Sequence, residues 1–328
     1  MLSRVADCLF WLGRYVERAE NYARFIDVNY NLSIDLPPDL REQWPPLIAA
    51  TGDMELFEEL NGTDYSRNTV IFFLTFDERN PNAIISTVRL ARENARIVRE
   101  SIPRESWEVL NELHYYIRDV SKERVWESEN PMQYMMRIKG SIQQLNGIGY
   151  DNIPRNHGWY FAKMGQHLER ADMTSRILDV KYHILLPSVD EIGSPLDYLH
   201  WNALLKSVSA YNSYRQLHHA LDPLRIVSYL ILDRQFPRSI FYCLNIVEKC
   251  LHDISESKHG YSNQAEKAIG NLRSKLEFAD VSDIFDEGLH EYLDKFQDSL
   301  NKISEAVYQQ YFKIEPNTMP DIQSQSQS

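Results

Sequence analysis

Glycine and proline are both scarce in this sequence, with 12 and 14 among 328 residues. Loop-rich and all-β proteins need these residues at their turns, so the scarcity argues against both classes. Long stretches contain neither residue, apolar side chains recur at three- and four-residue intervals, and no alternating strand pattern persists. The sequence therefore predicts an all-α fold, with 43% hydrophobic residues to fill the core of one large helical bundle.

Cysteine is rarer still, and occurs only at Cys8, Cys243 and Cys250. An odd number at wide spacing provides neither a disulfide framework nor a paired-cysteine metal motif. We expect three buried thiols in a reducing compartment.

The sequence also lacks an excess of positive charge and any long hydrophobic run. Its formal net charge is −12, which is a poor match for nucleic acid or an anionic membrane. No segment reaches the roughly 18 consecutive apolar residues of a transmembrane helix. Arg4 and Asp7 interrupt the N-terminal segment early, so no signal peptide is expected there. These absences favour a cytoplasmic protein.

The usual catalytic and phosphate-binding motifs are missing. The sequence contains no GxxxxGK[ST], GxGxxG, GxSxG or HExxH pattern. The histidines are scattered along the chain, so we expect no metal site and no cofactor. A non-catalytic role is favoured over an enzymatic one, although the enzymatic alternative stays open at this point.

What the sequence does contain is an internal repeat. GRYVERAENYARFIDV at 13–28 returns as GQHLERADMTSRILDV at 165–180, with seven identities in sixteen positions at an offset of 152. A second match, of 73–84 with 229–240, follows at an offset of 156. Two matches in the same order predict a tandem duplication of a multi-helix unit. We expect repeats over 1–152 and 153–314, packed as one domain about a pseudo-twofold axis, and a disordered tail over 315–328.

The repeated stretch carries a polar stripe beside its apolar face when it is wound as a helix. The stripe consists of Gly13, Glu17, Glu20, Arg24 and Asp27 in the first copy, and of Gly165, Glu169, Asp172, Arg176 and Asp179 in the second. Arg18, which corresponds to Arg170, falls on the opposite flank. The Glu20/Arg24 and Asp172/Arg176 spacings predict i, i+4 ion pairs.

A glycine inside a helix destabilises it by about 1 kcal/mol relative to alanine. Gly13 and Gly165 each lie one turn before the repeated glutamate, so we expect a compensating close approach by another backbone or by a ligand.

Two interpretations of the stripe remain open. It forms either a partly buried ion-pair seam where the two long helices pack, or a polar pocket. In the pocket, Glu17 or Glu169 would act as acid and base. The arginines Arg18, Arg24, Arg170 and Arg176 would then hold an anionic group. The seam is the favoured interpretation, because buried charges need partners.

The second match suggests a local structure as well. Asp77 and Asp233 each follow an apolar run and precede a proline by four residues. The pattern predicts an apolar helix, a tight turn and a new helix with the aspartate as its N-cap. Arg234 lies beside the second of these aspartates.

These segments together resemble the bacterial Alpha-E family, an α-helical domain named for its Glu-Arg motif. The resemblance rests on LSRVADCLFWLGRYVERAENYAR at the N-terminus, RNHGWYFAKMGQHLERAD at 155–172, and LILDRQFPRSI at 230–240. A further segment, ARENARIVRESIPRESWEVLN at 91–111, contributes Arg92, Asn94 and Arg96 as candidate site residues. The resemblance covers residues 1 to about 312.

The resemblance implies a function only by association. Family members are similar to proteins encoded beside circularly permuted ATP-grasp ligases and transglutaminase-like proteins, and are thought to serve peptide synthesis or modification. The first hypothesis is therefore a non-catalytic partner of an ATP-grasp-type ligase or of its peptide. The alternatives are an enzyme acting on an anionic or peptide substrate, and a structural scaffold only.

Overall fold

The computed structural model describes residues 1–36, 44–123, 132–184, 194–257 and 260–313, and in these ranges the regular structure is entirely helical. The predicted all-α class is confirmed. The tail expected to be disordered, at 315–328, lies outside the described residues.

Fifteen α-helices are present in these ranges. The first seven are α1 (Ser3–Asp35), α2 (Pro45–Thr51), α3 (Met54–Asn61), α4 (Arg67–Thr75), α5 (Ile84–Ile97), α6 (Arg104–Glu123) and α7 (Met132–Asn152). The others are α8 (His157–Ile184), α9 (Pro195–Ser207), α10 (Tyr211–Leu217), α11 (Pro223–Leu232), α12 (Ile240–Ser255), α13 (Gln264–Glu277), α14 (Val281–Glu287) and α15 (Leu289–Val307). A π-helical turn at Tyr308–Phe312 extends α15.

The two long helices α1 and α8 form the most extensive contact between any two elements described. α5, α7 and α9 pack around α1, while α2, α12 and α15 pack around α8. α8 begins after Asn156, whose side chain accepts a hydrogen bond from the Trp159 N–H at 3.1 Å. The short connection from α7 to α8 is at the place where the sequence predicts the two repeats to join.

Apolar side chains form two cores, and α1 contributes to both. Its first turns, with Leu9 and Phe10, enter a core built mainly by α8 and the helices after it. Its later turns, with Tyr22 and Ile26, enter a core built mainly by α2 to α7. The α1–α8 contact therefore lies between the two cores, which is where the repeated Glu-Arg segments are placed.

A short break separates α9 from α10, because α9 ends at Ser207 and α10 begins at Tyr211. Between them Ser209 adopts a left-handed conformation with φ 55°, which a continuous helix does not allow. Asp280 and Asp283 form a capping box at the start of the seven-residue helix α14.

The predicted role of Asp77 and Asp233 as helix N-caps was wrong. α5 and α12 begin several residues later, with Ala83 and Ser239 at their N-caps. Asp77 and Asp233 instead lie in the turns that precede these helices. Each accepts a hydrogen bond from the backbone N–H of the residue two positions later, at 3.0 and 2.8 Å. The predicted helix–turn–helix order itself is present at both places.

Candidate functional site

The crossing of α1 and α8 is set by two glycines. A Cβ on Gly13 would lie 2.1 Å from the Ala162 carbonyl oxygen, and a Cβ on Gly165 would lie 2.1 Å from that of Phe10. Both distances are far below contact, so only glycine allows the two helix backbones to approach this closely. The close approach predicted from the cost of a helical glycine is therefore found at both positions, with a backbone on the other side.

One turn after Gly165, the carboxylate of Glu169 is surrounded by arginines of α1. Arg18 donates from Nε at 2.5 Å and from Nη2 at 3.1 Å, and Arg14 donates from Nε at 2.8 Å. The remaining Arg18 Nη1 donates to Asn82 Oδ1 at 2.6 Å. Glu169 is fully buried. We call Glu169, Arg14, Arg18 and Asn82 the Glu169 cluster.

On the other side of the crossing, Glu17 is held in the reciprocal way. Arg170 of α8 binds both carboxylate oxygens, from Nε at 2.9 Å and from Nη2 at 2.7 Å. Arg238, just before α12, adds a third bond from Nη1 at 2.8 Å. Arg238 also reaches Glu20 Oε1 at 3.2 Å, and Arg24 pairs with the same Glu20 oxygen. We call Glu17, Glu20, Arg24, Arg170 and Arg238 the Glu17 cluster.

The two clusters lie on opposite flanks of the α1–α8 contact. The seam expected where the two helices pack is thus divided into two clusters, and Arg18, which the sequence places on the flank away from the stripe, belongs to one of them. Because Glu17 and Arg18 are neighbours in sequence, they point about 100° apart around α1. Glu17 therefore faces one flank and Arg18 the other, and each meets its opposite charge from the Glu169-Arg170 dipeptide of α8.

The electrostatics of both glutamates favour the charged form. Burial alone would raise the pKa of Glu169, but the Arg18 and Arg14 guanidiniums outweigh it and lower the pKa to about 2. Burial is likewise the largest influence on Glu17, and Arg170 and Arg238 hold its pKa well below the usual value. An acid–base catalyst needs a pKa near the working pH and access to its substrate. The environments of Glu17 and Glu169 provide neither.

The other residues of the stripe form local or peripheral pairs. The i, i+4 pair Asp172–Arg176 is present at 2.9 Å, as its spacing predicts. The corresponding aspartates further along differ in their partners. Asp27 pairs with Lys139 of α7, and Asp179 lies 2.7 Å from His290 Nδ1 of α15.

Asp179 and His290, together with Asp294, make up a group of ligand-type atoms within 4.8 Å of one another. Asp294 is exposed, and exposed carboxylates commonly gather without an ion. We assign no metal to this group.

The structure does not bring the Arg92 segment into either cluster. Arg92 donates to Asn111 Oδ1 at 2.8 Å and its guanidinium lies over Trp107, while the exposed Arg96 pairs with Glu93 at 2.8 Å. Asn94 is half-buried on the same helix, α5.

The residues of the two helix–helix turns are also separate from the clusters. Asp77 pairs with Arg79 at 2.6 Å, and Asp233 caps its own turn. The largely exposed Arg234 lies 3.7 Å from Glu277 and above the Phe241 ring.

Sequence reasoning missed three members of the clusters. Arg238 corresponds to Asn82 at the offset of 156 found in the second repeat match. Asn82 contacts Arg18 and Arg238 contacts Glu17, so this match could have indicated both residues as neighbours of the Glu-Arg segments. Arg14 has no basic counterpart, because Gln166 occupies the corresponding position in the second copy. Nothing in the pattern marked Arg14, which reaches Glu169 from one turn before Arg18.

Beside the crossing, a mostly apolar groove of about 860 Å³, open solvent included, runs between α1, α7 and α8. We call it the α1–α7–α8 groove; its lining includes Leu9, Leu12, Gly13, Val16, Leu110, Leu145, Gly149, Ile153, Trp159, Ala162 and Lys163. Neither Glu17 nor Glu169 lines it.

Lys163 provides the charge of this groove. Its ammonium donates to Gln166 Oε1 at 2.9 Å, and Gln166 in turn donates to Asn146 Oδ1 at 2.9 Å. Burial and the nearby Arg170 lower the pKa of Lys163. The groove thus combines apolar walls with one cation and two amides, which is typical of a site for a partly apolar ligand.

Two further properties of the described residues concern the reactivity of the cysteines and the length of the apolar helices. Cys8, Cys243 and Cys250 are unpaired and buried, and burial raises the pKa of the Cys243 and Cys250 thiols to about 12, which does not suit a nucleophile. None of the described helices combines the length and the apolar character that crossing a membrane requires.

Comparison with known proteins gives a family and distant relatives. Three uncharacterized proteins, one of Mycobacterium bovis and two of Mycobacterium tuberculosis, are each 24% identical over 290 residues, covering 83% of this chain. The chain spans only 32% of the length of these relatives. No solved structure matches it. The profile of the Alpha-E family, described as a predicted alpha-helical domain with a conserved ER motif, matches residues 1–312. The chain therefore belongs to the Alpha-E family.

Proposed function

We propose that this protein is a non-catalytic helical partner that binds an ATP-grasp-type ligase, or the peptide on which such a ligase acts. The observation that carries the proposal is the α1–α7–α8 groove, which is mostly apolar and lies beside the buried Glu17 and Glu169 clusters. The Glu-Arg motif then serves to hold the groove-forming helices in place.

The chemistry of the groove favours a polypeptide segment as its occupant. Aliphatic side chains of α1 and α7 form its walls, and they suit the apolar side chains of a bound segment. Lys163, half-buried in the lining of the groove, suits a carboxylate or a carbonyl of the same segment. Tyr150 at the rim is 64% exposed, as an aromatic residue at an unoccupied interface often is.

The relatives support a role beside another protein. In the mycobacterial chains, the matching region is joined to about twice its own length of further sequence. A domain that is joined to further sequence in one chain commonly works in contact with a second domain. The family resemblance suggests an ATP-grasp-type ligase as that partner, or a transglutaminase-like protein from the same system.

We also propose that the fold arose by duplication, with repeats over 1–152 and 153–314 related by a pseudo-twofold axis. The reciprocal Glu17–Arg170 and Glu169–Arg18 pairs support this origin, because each is the other shifted by the repeat offset. The Gly13 and Gly165 approaches are related in the same way.

Three unpaired thiols are consistent with the cytoplasm as the place of action.

The proposal predicts that filling the groove weakens partner binding. Gly149 lines the groove, and a Cβ there would meet only Ile153 Cδ1 at 4.0 Å, so the backbone has room for a side chain and Gly149→Leu would occupy groove space. Gly147, on the same helix, has nothing within 4 Å and lies outside the groove, so Gly147→Leu is the matched control. We expect Gly149→Leu to weaken binding of the purified ligase or its peptide at least about tenfold, measured by biolayer interferometry. Gly147→Leu should leave it unchanged.

A photo-crosslinking amino acid identifies the partner independently. Placed at Tyr150 in the native host, it should yield a crosslink to an ATP-grasp-type ligase or to its peptide. The same amino acid at Phe278, which is 85% exposed and lies outside the groove, should not. Equal crosslinking from both positions, or no ligase and no peptide at Tyr150, would refute the proposed function.

A further inference from the structure

A second cleft, separate from the α1–α7–α8 groove, is lined by positive charge. It lies between α1, α7 and α9 and encloses about 1430 Å³, open solvent included. The charged residues that line it are Arg24 and Asp27 of α1, Lys139 of α7 and Lys206 of α9. Three cations thus face one carboxylate, in a chain whose formal net charge is −12. We call this the α1–α7–α9 cleft.

The charges that line the cleft are incompletely neutralised. Asp27 pairs with Lys139, which leaves Arg24 and Lys206. Arg24 pairs with Glu20, but Glu20 and Glu17 are shared with Arg170 and Arg238. The Glu17 cluster therefore holds three arginines against two carboxylates. One positive charge is in excess, and Arg24 is the member of this cluster that borders the cleft.

Arg24 also has hydrogen-bonding capacity to spare. Its guanidinium donates to Glu20 Oε1 and, at 3.4 Å, to Asn21 Oδ1. A guanidinium carries five N–H groups, so three have no acceptor among the described residues. Arg24 is only 5% exposed, and burial together with the nearby Arg238 lowers its pKa. An anion in the cleft would supply the missing acceptors and the missing negative charge.

The corresponding arginine of the second copy, Arg176, has different neighbours. Arg176 pairs with Asp172, and the chain just after α2 lies against it, since a Cβ on Gly52 would be 2.8 Å from Arg176 Nη1. Gly52 has φ 77°. α9 packs on α1 as α2 packs on α8. Ser209, just after α9, also has a positive φ of 55°, and it lines the α1–α7–α9 cleft. The side chain of Arg176 is 27% exposed and that of Arg24 is 6% exposed, so Arg24 is the more enclosed of the two.

We propose that the α1–α7–α9 cleft is a binding site for a multiply charged oxyanion, a phosphate ester or a polycarboxylate, held by Arg24, Lys139 and Lys206. The three cations come from three helices, so they converge on a ligand from different sides. The amides of Gln143 and Asn202, also in the lining, add neutral donors around the same space.

The test uses pyrophosphate and citrate as separate probes in isothermal titration calorimetry, with ionic strength matched by potassium chloride. Lys206 is exposed, and its described contact is a cation–π contact with Tyr211 at 5.8 Å, so Lys206→Gln should fold normally. Lys275, exposed on α13 and outside the cleft, provides Lys275→Gln as a control with the same change of charge. We expect Lys206→Gln to weaken binding about tenfold and Lys275→Gln to have no effect.

The outcomes separate the two ligand classes and the two sites. Tighter binding of pyrophosphate indicates a phosphate ester, and tighter binding of citrate indicates a polycarboxylate. The groove variant Gly149→Leu should retain anion binding, so the cleft is tested independently of the proposed partner function. Absence of binding of both anions, or equal weakening by Lys206→Gln and Lys275→Gln, would overturn the assignment.

Discussion

Replacing Gly165 by alanine should destabilise the fold by about 3 kcal/mol, the upper end of the usual cost of overpacking. The added Cβ would lie 2.1 Å from the Phe10 carbonyl oxygen, a backbone atom that cannot move aside without separating α1 from α8. Separation would weaken both clusters at once, because the Arg18–Glu169 and Glu17–Arg170 pairs both span the crossing. Chemical denaturation followed by circular dichroism measures the effect.

The control for this prediction is Gly147→Ala. Gly147 also lies inside a helix, α7, but a Cβ there has nothing within 4 Å. Alanine is the better helix former, so Gly147→Ala should stabilise the protein by about 0.5–1 kcal/mol. If Gly165→Ala were neutral or stabilising as well, the close backbone contact at the crossing would be wrong.

Replacing Glu169 by glutamine should cost about 3–5 kcal/mol, the usual penalty for removing one partner of a buried ion pair. The substitution keeps the shape of the side chain but leaves Arg14 and Arg18 without their counter-ion. Glu108→Gln, at an exposed pair with Arg104, should change stability by less than about 0.5 kcal/mol. A loss at Glu169 no greater than the loss at Glu108 would contradict the structural role of the cluster.

The same carboxylate predicts a defined pH dependence. The pKa of Glu169 is lowered from 4.5 to about 2 in the folded protein. A lowered pKa means that its contribution is fully present above pH 4.5 and is lost as the pH falls toward 2. The loss amounts to about 3 kcal/mol over that range. Glu169→Gln should therefore show a shallower decrease of stability with acid than the wild-type protein does.

The sequence predicted the helical class and the two glycine approaches, because periodicity and the cost of a helical glycine are local properties. It also predicted that Glu20 would pair with Arg24, since i, i+4 residues share a helix face. These features follow from spacing along one helix and do not require knowledge of the partner.

Features that depend on how helices are placed in space could not be predicted in the same way. Arg18 lies on the flank of α1 away from the stripe, so the sequence suggested that it had no charged partner. In the structure α8 contacts both flanks of α1: Glu169 binds Arg18 on one flank and Arg170 binds Glu17 on the other. Arg14 joins its cluster through a tertiary contact with no spacing signal of its own, and the signal for Arg238 lies only in its offset of 156 from Asn82. The break at Ser209 likewise has no local glycine or proline to mark it in the sequence.

The central claim is that the Glu-Arg motif acts as a reciprocal buried ion-pair system joining α1 to α8. A double-mutant cycle of Glu17→Gln and Arg170→Met, read as free energies of unfolding, tests it most directly. The account predicts a coupling energy of about 2 kcal/mol or more, against less than about 0.5 kcal/mol for the same cycle at the exposed Arg104–Glu108 pair. A coupling at Glu17–Arg170 no larger than that of the exposed pair would contradict it.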